Sequence, residues 1–433
     1  MPEVSKKITG EIVISSEALT EIEKGIKNLS DFKEKIEAFL EKGVTEILEI
    51  ILGGAISLDA SDIHIEPREK EAKLRVRVDG VLQDVLFLDK RVQENILSRI
   101  KLRSGIKLNI TDRPQDGRFS IVSEKNLIEI RTSTLPAEYG ESIVLRVLNP
   151  KSLIDMGALG LREDLLKIFE REIKKPNGMI IVTGPTGSGK TTTLYAFLKK
   201  IQKPEIKTIT IEDPIEYHLE GISQTQVDPR AGYDFANGLK SIMRQDPDVI
   251  LVGEIRDLDT ASIALQAALT GHLVLTTLHT NDAAGTIARL QALGEKPSTI
   301  APAINIAIAQ RLVRKVCKKC AEFKKISLEE LKKIKKELSS LKVKIPKLSP
   351  ELKIPKIKGC QNCNFTGYRG RIGIFEAFLV DDEIEKFILK SPSIAALKEE
   401  VIKKGMVTMK QDGLIKVLEG ITTIEELERV VGE

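Results

Sequence analysis

Residues 178–201 read GMIIVTGPTGSGKTTTLYAFLKKI, and this stretch decides the fold. It opens with an apolar, β-branched run, and the residues after Lys190 favour a helix. Between these runs, Gly184 to Thr191 fits the pattern G-x-x-x-x-G-K-(S/T), in the strand–loop–helix context that a phosphate-binding loop requires. The predicted triphosphate contacts are Gly184, Pro185, Thr186, Gly187, Ser188, Gly189, Lys190, Thr191 and Thr192.

The glycines of this loop let the backbone curl so that successive N–H groups point at phosphate oxygens. The helix that follows adds the positive end of its dipole. We expect Lys190 to reach the β- and γ-phosphates and the Thr191 hydroxyl to bind Mg²⁺. A chance match is the alternative, and the flanking strand and helix argue against it. The loop therefore predicts binding of ATP with Mg²⁺.

Three later apolar runs end in polar side chains. KTITIED delivers Glu212 and Asp213, the run inside DPDVILVGEIRD delivers Glu254, and GHLVLTTLHTND delivers His279. In open α/β sheets, ligands bind at the carboxyl ends of the strands. We expect Glu254 and Glu212 to order Mg²⁺ or activate water, and His279 to contact the γ-phosphate. Each of these side chains alone could be a structural cap, but the three together favour hydrolysis.

The chain divides into five predicted segments. Strands alternate with helices over 156–310, which predicts an α/β fold with a mostly parallel sheet covered on both faces. Residues 44–155 are predicted to form a smaller α+β domain, preceded by a short segment, 1–43, with one or two loosely docked helices. A lysine-rich, cysteine-bracketed subdomain follows over 311–366, and residues 367–433 are predicted to be a helical extension.

The smaller α+β domain has its own local signals. Apolar residues between Val44 and Ile56 have the spacing of an amphipathic helix. Short strands follow, with Asp79-Gly80 as a two-residue hairpin turn. The stretch TDRPQDGR is predicted to be a polar loop, and two strands follow it near 128–133 and 143–148.

All four cysteines of the chain occur in two C-x-x-C pairs. Cys317 and Cys320 form the first pair, and Cys360 and Cys363 form the second. Two such knuckles can present four thiolates to Zn²⁺, and a full set of protein ligands is typical of a structural site. The intervening 39 residues exceed those of a simple zinc ribbon, so we expect an inserted helix at ISLEELKKIKKEL. Disulfides are the alternative, which a reducing cytosol disfavours.

The formal net charge of +4 hides an uneven distribution. Residues 311–360 contain 17 Lys plus Arg against 5 Glu, a local excess of +12. A basic surface of this kind can face a membrane, an acidic partner or nucleic acid, or it can simply be solvated. The N-terminus lacks the apolar core of a secretory signal, and the apolar stretch from Val44 to Leu58 contains Glu46 and Glu49. We therefore expect a cytoplasmic protein.

The order of these motifs resembles a known family. The P-loop, IEDPIEY, RQDPDVILVGEIRD and TGHLVLTTLHTND are similar to the type II secretion and type IV pilus assembly ATPases, the GspE/PilB group of the secretion ATPase superfamily. Upstream, ASDIHIEP, LRVRVDGVLQDV, RPQDGRFS and RTSTLPAEYGESIVLRVL resemble the N-terminal, PAS-like domain of that family. The resemblance runs from about Val44 to the C-terminus. It implies a RecA-like P-loop core and a tetracysteine element, which retraction-type pilus ATPases typically lack.

The resemblance also implies roles for individual residues. Glu212 and Asp213 match the family's Asp box, Glu254 its Walker B element, and His272 with His279 its His box. Arginines of the N-terminal domain are expected to approach the nucleotide, some of them across a subunit boundary. The further positions that the resemblance singles out are Arg131, Arg146, the weaker candidate Arg118, Asp248 in the Walker B stretch, Arg244, Arg256, and Lys240, which stands where relatives commonly carry arginine.

By resemblance, the chain is expected to be a homo-hexameric motor. It would power type II secretion or type IV pilus extension through an inner-membrane platform protein, associated peripherally with the inner face of the cytoplasmic membrane, with no specific nucleic acid. The alternative is a RecA-like nucleic-acid translocase or a competence-type DNA-uptake motor, although the basic segment offers only Phe323 for base stacking. A nucleotide-sensing regulator is a third possibility. About 40 residues precede the Val44 helix, too few for the cyclic-dinucleotide domain of some relatives.

Overall fold

A computed structural model describes residues 10–123 and 126–432. The chain divides into two compact units. Unit 1 comprises the chain as far as Ser152 together with two later pieces, Cys317–Cys320 and Lys358–Arg369. Unit 2 comprises the three remaining pieces, Leu153–Val316, Ala321–Ile357 and Gly370–Glu433.

Unit 1 is built on a seven-stranded sheet. Its strands and helices are β1 (Gly10–Val13), α1 (Ser16–Gly25), α2 (Leu29–Glu37), α3 (Val44–Ser57), β2 (Asp62–Pro67), β3 (Glu71–Val78), β4 (Val81–Asp89), α4 (Lys90–Arg103), β5 (Gln115–Ser123), β6 (Asn126–Ala137) and β7 (Gly140–Leu148). The strand order is β1-β5-β6-β7-β2-β3-β4. Strand β1 pairs in parallel with β5, and the other pairs are antiparallel.

The N-terminal helices share the core of this sheet. Ile14, Ile26 and Phe32 are buried in the same hydrophobic cluster as Ile51 of α3 and Ile63 of β2. The sequence predicts loose docking for residues 1–43 because charged residues dominate there. The structure differs for the residues it describes, because Ile22, Ile26 and Phe32 are buried and lie against Gly53 and Gly54 of α3. The part of this prediction that concerns residues 1–9 lies outside the described residues.

Strand β5 was missed by the sequence analysis. It begins at Gln115, inside the stretch TDRPQDGR that was predicted to be a loop. Pairing with β6 starts there, since Gln115 lies opposite Thr134. Turn-forming residues are poor strand formers, and here the cross-strand partner overrides their local preference.

Unit 2 is an α/β unit. Its elements are α5 (Glu163–Glu172), β8 (Gly178–Thr183), α6 (Lys190–Ile201), β9 (Thr208–Glu212), β10 (Ser223–Gln226), α7 (Phe235–Ile242), β11 (Val249–Val252), α8 (Leu258–Leu269), β12 (Leu273–Leu278), α9 (Gly285–Leu293), α10 (Pro297–Ala303), β13 (Ile304–Val316), β14 (Glu322–Lys325), α11 (Leu328–Leu338), β15 (Lys353–Lys356), β16 (Tyr368–Leu379), α12 (Asp382–Ile388), α13 (Ile394–Lys403), α14 (Met409–Leu418) and α15 (Ile424–Val431).

The central sheet of unit 2 has the order β10-β9-β11-β12-β8-β13-β16. The pairs from β10 to β13 are parallel, as the alternation of strands and helices predicts. Successive residues of β8 point into different cores: Met179 and Ile181 belong to one buried cluster, and Ile180 and Val182 belong to another. A strand buried on both faces explains why its sequence is continuously apolar. The carboxyl ends of β8, β9, β11 and β12 meet at one edge.

Two segment boundaries differ from the sequence expectation. The sheet continues past Arg311 through the long strand β13, and its last strand, β16, comes from the segment predicted to be a helical extension. The helices expected there begin only after β16. The inserted helix between the cysteine pairs is present as α11, and Ser327 and Glu330 form a capping box at its start. Across residues 10–123 and 126–432, no helix combines the length and apolar character that crossing a bilayer requires.

A glycine pair tests the packing of the N-terminal helices. A Cβ atom on Gly54 of α3 would overlap the Phe32 ring of α2, whereas one on Gly25 of α1 would meet nothing within 4 Å. We expect Gly54→Ala to lower the free energy of unfolding by about 1–3 kcal/mol because it overpacks this contact. Gly25→Ala is the matched control and should leave stability unchanged or raise it by up to about 1 kcal/mol.

Denaturant unfolding of both variants measures the two effects. Equal stability of the two variants would contradict the packing of α2 on α3.

Candidate functional site

The phosphate-binding loop connects β8 to α6. Gly184, Gly187 and Gly189 have φ values of 147°, 77° and 89°, and Gly189 is the residue that precedes the first turn of α6. Residues other than glycine rarely adopt this left-handed backbone conformation. A glycine at position 189 therefore suits the turn that directs the N-terminus of α6 into the loop. Lys190 is buried, and its Nζ donates to the carbonyl oxygens of Gly184 (2.9 Å) and Pro185 (3.1 Å).

Gln310 of β13 packs directly against this loop. Its side chain is 1% exposed, and its Oε1 accepts a hydrogen bond from Thr193 Oγ1 of α6 at 2.6 Å. A Cβ on Gly189 would meet the Gln310 amide, and a Cβ on Gly184 would meet the Gln310 backbone oxygen. Gln310 could not be predicted from the sequence because it lies about 120 residues after the motif, in a strand that carries no motif of its own.

Glu254, Arg256 and His279 meet at the carboxyl edge of the sheet. Arg256 lies 2.5 Å from one oxygen of the Glu254 carboxylate, and His279 Nε2 lies 3.5 Å from the other. The Glu254 loop is itself fixed, because Thr277 Oγ1 of β12 donates to the Gly253 carbonyl at 2.7 Å. The structure thus brings three of the predicted residues together.

Lys190 lies close enough to Glu254 and His279 for their charges to interact. Burial lowers the pKa of Lys190, and the nearby carboxylates of Glu254 and Glu216 oppose that shift. Burial also lowers the pKa of His279, helped by Lys190 and opposed by Glu254. His279 is therefore neutral at pH 7 and can donate one hydrogen bond while accepting another.

Glu212 lies at the carboxyl end of β9, as the sequence predicts, but its carboxylate faces inward. It is 3% exposed and accepts hydrogen bonds from Tyr195, Thr210 (2.6 Å) and Gln224 (3.2 Å). Burial raises the pKa of Glu212, and these three hydrogen bonds oppose the shift. It also raises the pKa of Tyr195, helped by the Glu212 carboxylate. Such a saturated carboxylate holds α6, β9 and β10 together and is poorly suited to receive a proton from water.

Glu216 is the carboxylate that the sequence analysis overlooked. It is the second glutamate of the quoted stretch IEDPIEY, four residues after Glu212, and it is half-buried. Its negative charge acts on Lys190 and on Glu212. The available signal was that Glu216 is a second acidic residue of the same stretch and lies in the loop that follows β9.

Four predicted residues do not reach this edge. His272 precedes β12 and His279 follows it, so the two histidines are about 23 Å apart along the strand. Asp248 precedes β11, and its Oδ2 accepts from the Lys207 N–H at 2.7 Å. Lys240 and Arg244 lie on the exposed end of α7 and the turn after it, where Arg244 donates to the Lys240 carbonyl at 3.2 Å. All four belong to the opposite edge of the sheet, where the parallel strands begin. Asp213 directly follows Glu212 and is exposed.

The three predicted arginines of unit 1 form one row across its sheet. Arg118 lies opposite Arg131, and Arg131 lies opposite Arg146. The row continues through Asp62, which lies between Arg146 and Arg77 and binds both, at 3.2 Å and 3.3 Å. Directly opposed residues share a face of a sheet. This face is the one away from the core, because the neighbouring residues Ile63 and Ile65 of β2 are buried.

The four cysteines come together within unit 1. Their Sγ atoms all lie within 4.8 Å of one another, with Cys317–Cys360 at 4.0 Å and Cys320–Cys363 at 3.7 Å. A tetrahedral Zn²⁺ with bonds of about 2.3 Å separates its sulfur ligands by about 3.8 Å, so the donor set fits this metal. Burial alone would raise the pKa of Cys317, but hydrogen bonds from the Lys319 backbone and the Asn362 side chain lower it to about 7.

The second knuckle also contacts the N-terminal helices. Asn364 has a φ of 50°, and its Oδ1 accepts from the Leu29 N–H at 2.8 Å, at the first turn of α2. The tetracysteine cluster therefore packs with the residues before Ser152, whereas α11 and its flanking strands belong to unit 2.

Comparisons with known proteins agree with this geometry. The family model described as "Type II/IV secretion system protein" matches residues 37–429. The chain belongs to this family. It is 43% identical to the type II secretion system ATPase E of Vibrio cholerae over 410 residues, which cover 94% of this chain and 79% of that one. It is also 43% identical to the type IV pilus assembly ATPase PilB of Thermus thermophilus, over 89% of this chain and 43% of that one.

Solved structures show the same fold. The pilus retraction motor PilT with bound ADP aligns over 88% of this chain and 96% of its own, with a TM-score of 0.59 and 27% identity. The ATPase DotB of Legionella pneumophila aligns over 88% and 94%, with a TM-score of 0.64 and 23% identity. The chain is accordingly an ATPase of the secretion family, as the sequence motifs predict.

The tetracysteine cluster predicts metal content. We expect the purified chain to carry about one Zn²⁺, and Cys363→Ser to lose it and to unfold at a lower temperature. Gln361→Ser, an exposed change inside the same knuckle, is the matched control and should keep the metal. Elemental analysis by mass spectrometry measures the content, and full zinc occupancy in Cys363→Ser would contradict the assignment.

Proposed function

We propose that this chain is the subunit of a homo-hexameric motor that converts ATP hydrolysis into type II secretion or type IV pilus extension. The observation that carries the proposal is the Glu254 carboxylate held between Arg256 and His279 beside Lys190. A P-loop alone accounts for nucleotide binding. The side chains at this edge could in addition stabilise the charge that develops on the γ-phosphoryl group during hydrolysis.

The binding step uses the loop and the first turn of α6. Backbone N–H groups between Gly184 and Thr192, all except that of Pro185, which has none, would surround the β- and γ-phosphates. Lys190 would exchange its carbonyl contacts for phosphate oxygens. The Thr191 hydroxyl and Glu254 would hold Mg²⁺ in an oxygen-rich site, which suits this ion. When bound, Mg²⁺ neutralises charge that develops on the phosphate oxygens.

Glu216 is the residue we propose to accept the proton of the attacking water. The Glu212 carboxylate already accepts three hydrogen bonds from side chains, whereas the half-buried Glu216 lies close enough to Lys190 for their charges to interact. His279, neutral because its pKa is lowered, would donate a hydrogen bond to the γ-phosphoryl oxygens without adding a full positive charge beside Lys190 and Arg256.

The arginine row of unit 1 supports completion of the site by a second subunit. Guanidinium groups stabilise charge on a transferring phosphoryl group, and their planar donors match two oxygens at once. We propose that Arg131 and Arg146, with Arg118 at the end of the row, approach a nucleotide bound to a neighbouring copy. The Asp62 carboxylate would hold Arg146 in a defined orientation for this contact.

The partner we propose is an inner-membrane platform protein, with the chain bound to the inner face of the membrane. Support comes from the names of the relatives, which include ATPases of both type II secretion and type IV pilus assembly. The basic residues between the two cysteine pairs could bind an acidic partner.

The test compares two glutamates that are four residues apart. Glu216→Gln should lower the kcat for ATP at least 100-fold while ATP binding persists, because it removes the proton acceptor. Glu212→Gln should mainly lower the free energy of unfolding, by about 1–3 kcal/mol, because it disturbs a buried hydrogen-bond network. Steady-state turnover, fluorescent ATP binding and thermal unfolding separate these outcomes.

The reverse ranking of the two variants would overturn the role of Glu216. Lys190→Ala and Glu254→Gln provide the control on the site itself, since both should abolish turnover. Retained turnover in both would overturn the whole assignment.

Mass measurement with and without a non-hydrolysable ATP analogue tests the hexamer.

A further inference from the structure

Glu376 of β16 is a buried carboxylate that none of the steps above uses. It is 3% exposed. One oxygen accepts from the Ala283 N–H at 2.9 Å, and the other accepts from the Met409 N–H at 3.1 Å. Ala283 lies in the loop between β12 and α9, and Met409 is the first residue of α14. A single side chain thus joins two segments that are more than a hundred residues apart.

The loop that Glu376 holds is the one that carries His279. Its start is fixed by Thr280, whose N–H donates to Thr183 Oγ1 at 2.8 Å, directly before the phosphate-binding loop. Its end is fixed at Ala283 by Glu376. Only three residues, Thr280 to Asp282, separate His279 from Ala283, so a shift of the Glu376 carboxylate must move the loop that positions the imidazole.

A second contact ties the same loop to the C-terminal helices. Asp282 accepts from the Gly285 N–H with one oxygen at 2.9 Å and from Lys398 Nζ of α13 with the other at 3.1 Å. The loop therefore contacts α13 directly and α14 through Glu376. Both carboxylates sit at helix N-termini, where backbone N–H groups and the helix dipole favour negative charge.

We propose that Glu376 is a positioning residue for ATP hydrolysis, which links the first turn of α14 to the His279 loop. The inference rests on the role proposed above for His279. Movement of the C-terminal helices would change the alignment of His279 with the γ-phosphate, and engagement of the γ-phosphate would in turn tighten the first turn of α14. Where binding of the γ-phosphate and the position of α14 are coupled, the coupling in binding free energy is reciprocal.

Glu376→Gln tests the link with little change in shape. A carboxylate accepts two N–H groups, whereas the amide accepts one and directs its own NH₂ group at the other. We expect kcat for ATP to fall about tenfold, with KM within about twofold, because loss of an interaction made only in the transition state lowers kcat. Glu426→Gln is the matched control: Glu426 is a buried carboxylate of α15 that binds Arg314 and Arg429 and does not contact the loop.

A double-mutant cycle shows whether Glu376 acts through His279. In a His279→Ala background, Glu376→Gln should change kcat by less than about twofold, because coupled residues are not additive. Independent, multiplying effects would overturn the proposal. So would an equal loss of kcat in Glu426→Gln, which would indicate a general effect of destabilisation.

Hydrogen exchange of the unmodified chain gives a readout that does not depend on a variant that folds. A non-hydrolysable ATP analogue should slow exchange in 408–411 as well as in the phosphate-binding loop. Protection of the loop without any change in 408–411 would overturn the link. If His279→Ala turns over ATP at the normal rate, the role proposed for His279 fails, and the exchange in 408–411 still decides whether Glu376 couples the two segments.

Discussion

The Thr183 hydroxyl is the contact on which the nucleotide site depends. It is completely buried at the end of β8, 3.0 Å from the Leu278 carbonyl and 2.8 Å from the Thr280 N–H. Gly184 follows on one chain, and His279 lies between the two partners on the other. One side chain therefore links the end of β8, directly before the phosphate-binding loop, to the residues on either side of His279. This constraint is possible because β8 and β12 are parallel neighbours that end at the same level.

The motifs at strand ends were predictable because each consists of residues that are close together in the sequence. Gly184 to Thr191 lies between a strand and a helix that the sequence shows plainly, and parallel strands bring Glu254 and His279 to the same edge. The cysteine pairs were predictable for the same reason, since two short knuckles fix the ligands whatever lies between them. Membership of the secretion family follows from the order of these motifs, and the family match confirms it.

What the sequence could not show depends on contacts between distant segments. The inward orientation of the Glu212 carboxylate depends on Tyr195 and Gln224, which lie on other elements and donate hydrogen bonds to it. Gln310 and Glu376 lie in strands without any motif, and their contacts form only when β13 joins the sheet beside β8 and β16 joins it beside β13. His272 and His279 are assigned to one motif by resemblance, and the structure places them at opposite ends of β12.

The most direct test of this account is ATP turnover after removal of the Thr183 hydroxyl. Thr183→Val keeps the shape of the side chain, and Thr183→Ser keeps the hydrogen bonds to Leu278 and Thr280. We predict that kcat falls at least tenfold in Thr183→Val and stays within about threefold of the original in Thr183→Ser, because the hydroxyl aligns His279 with the phosphate-binding loop. Equal turnover in the two variants, at any level, would contradict the account.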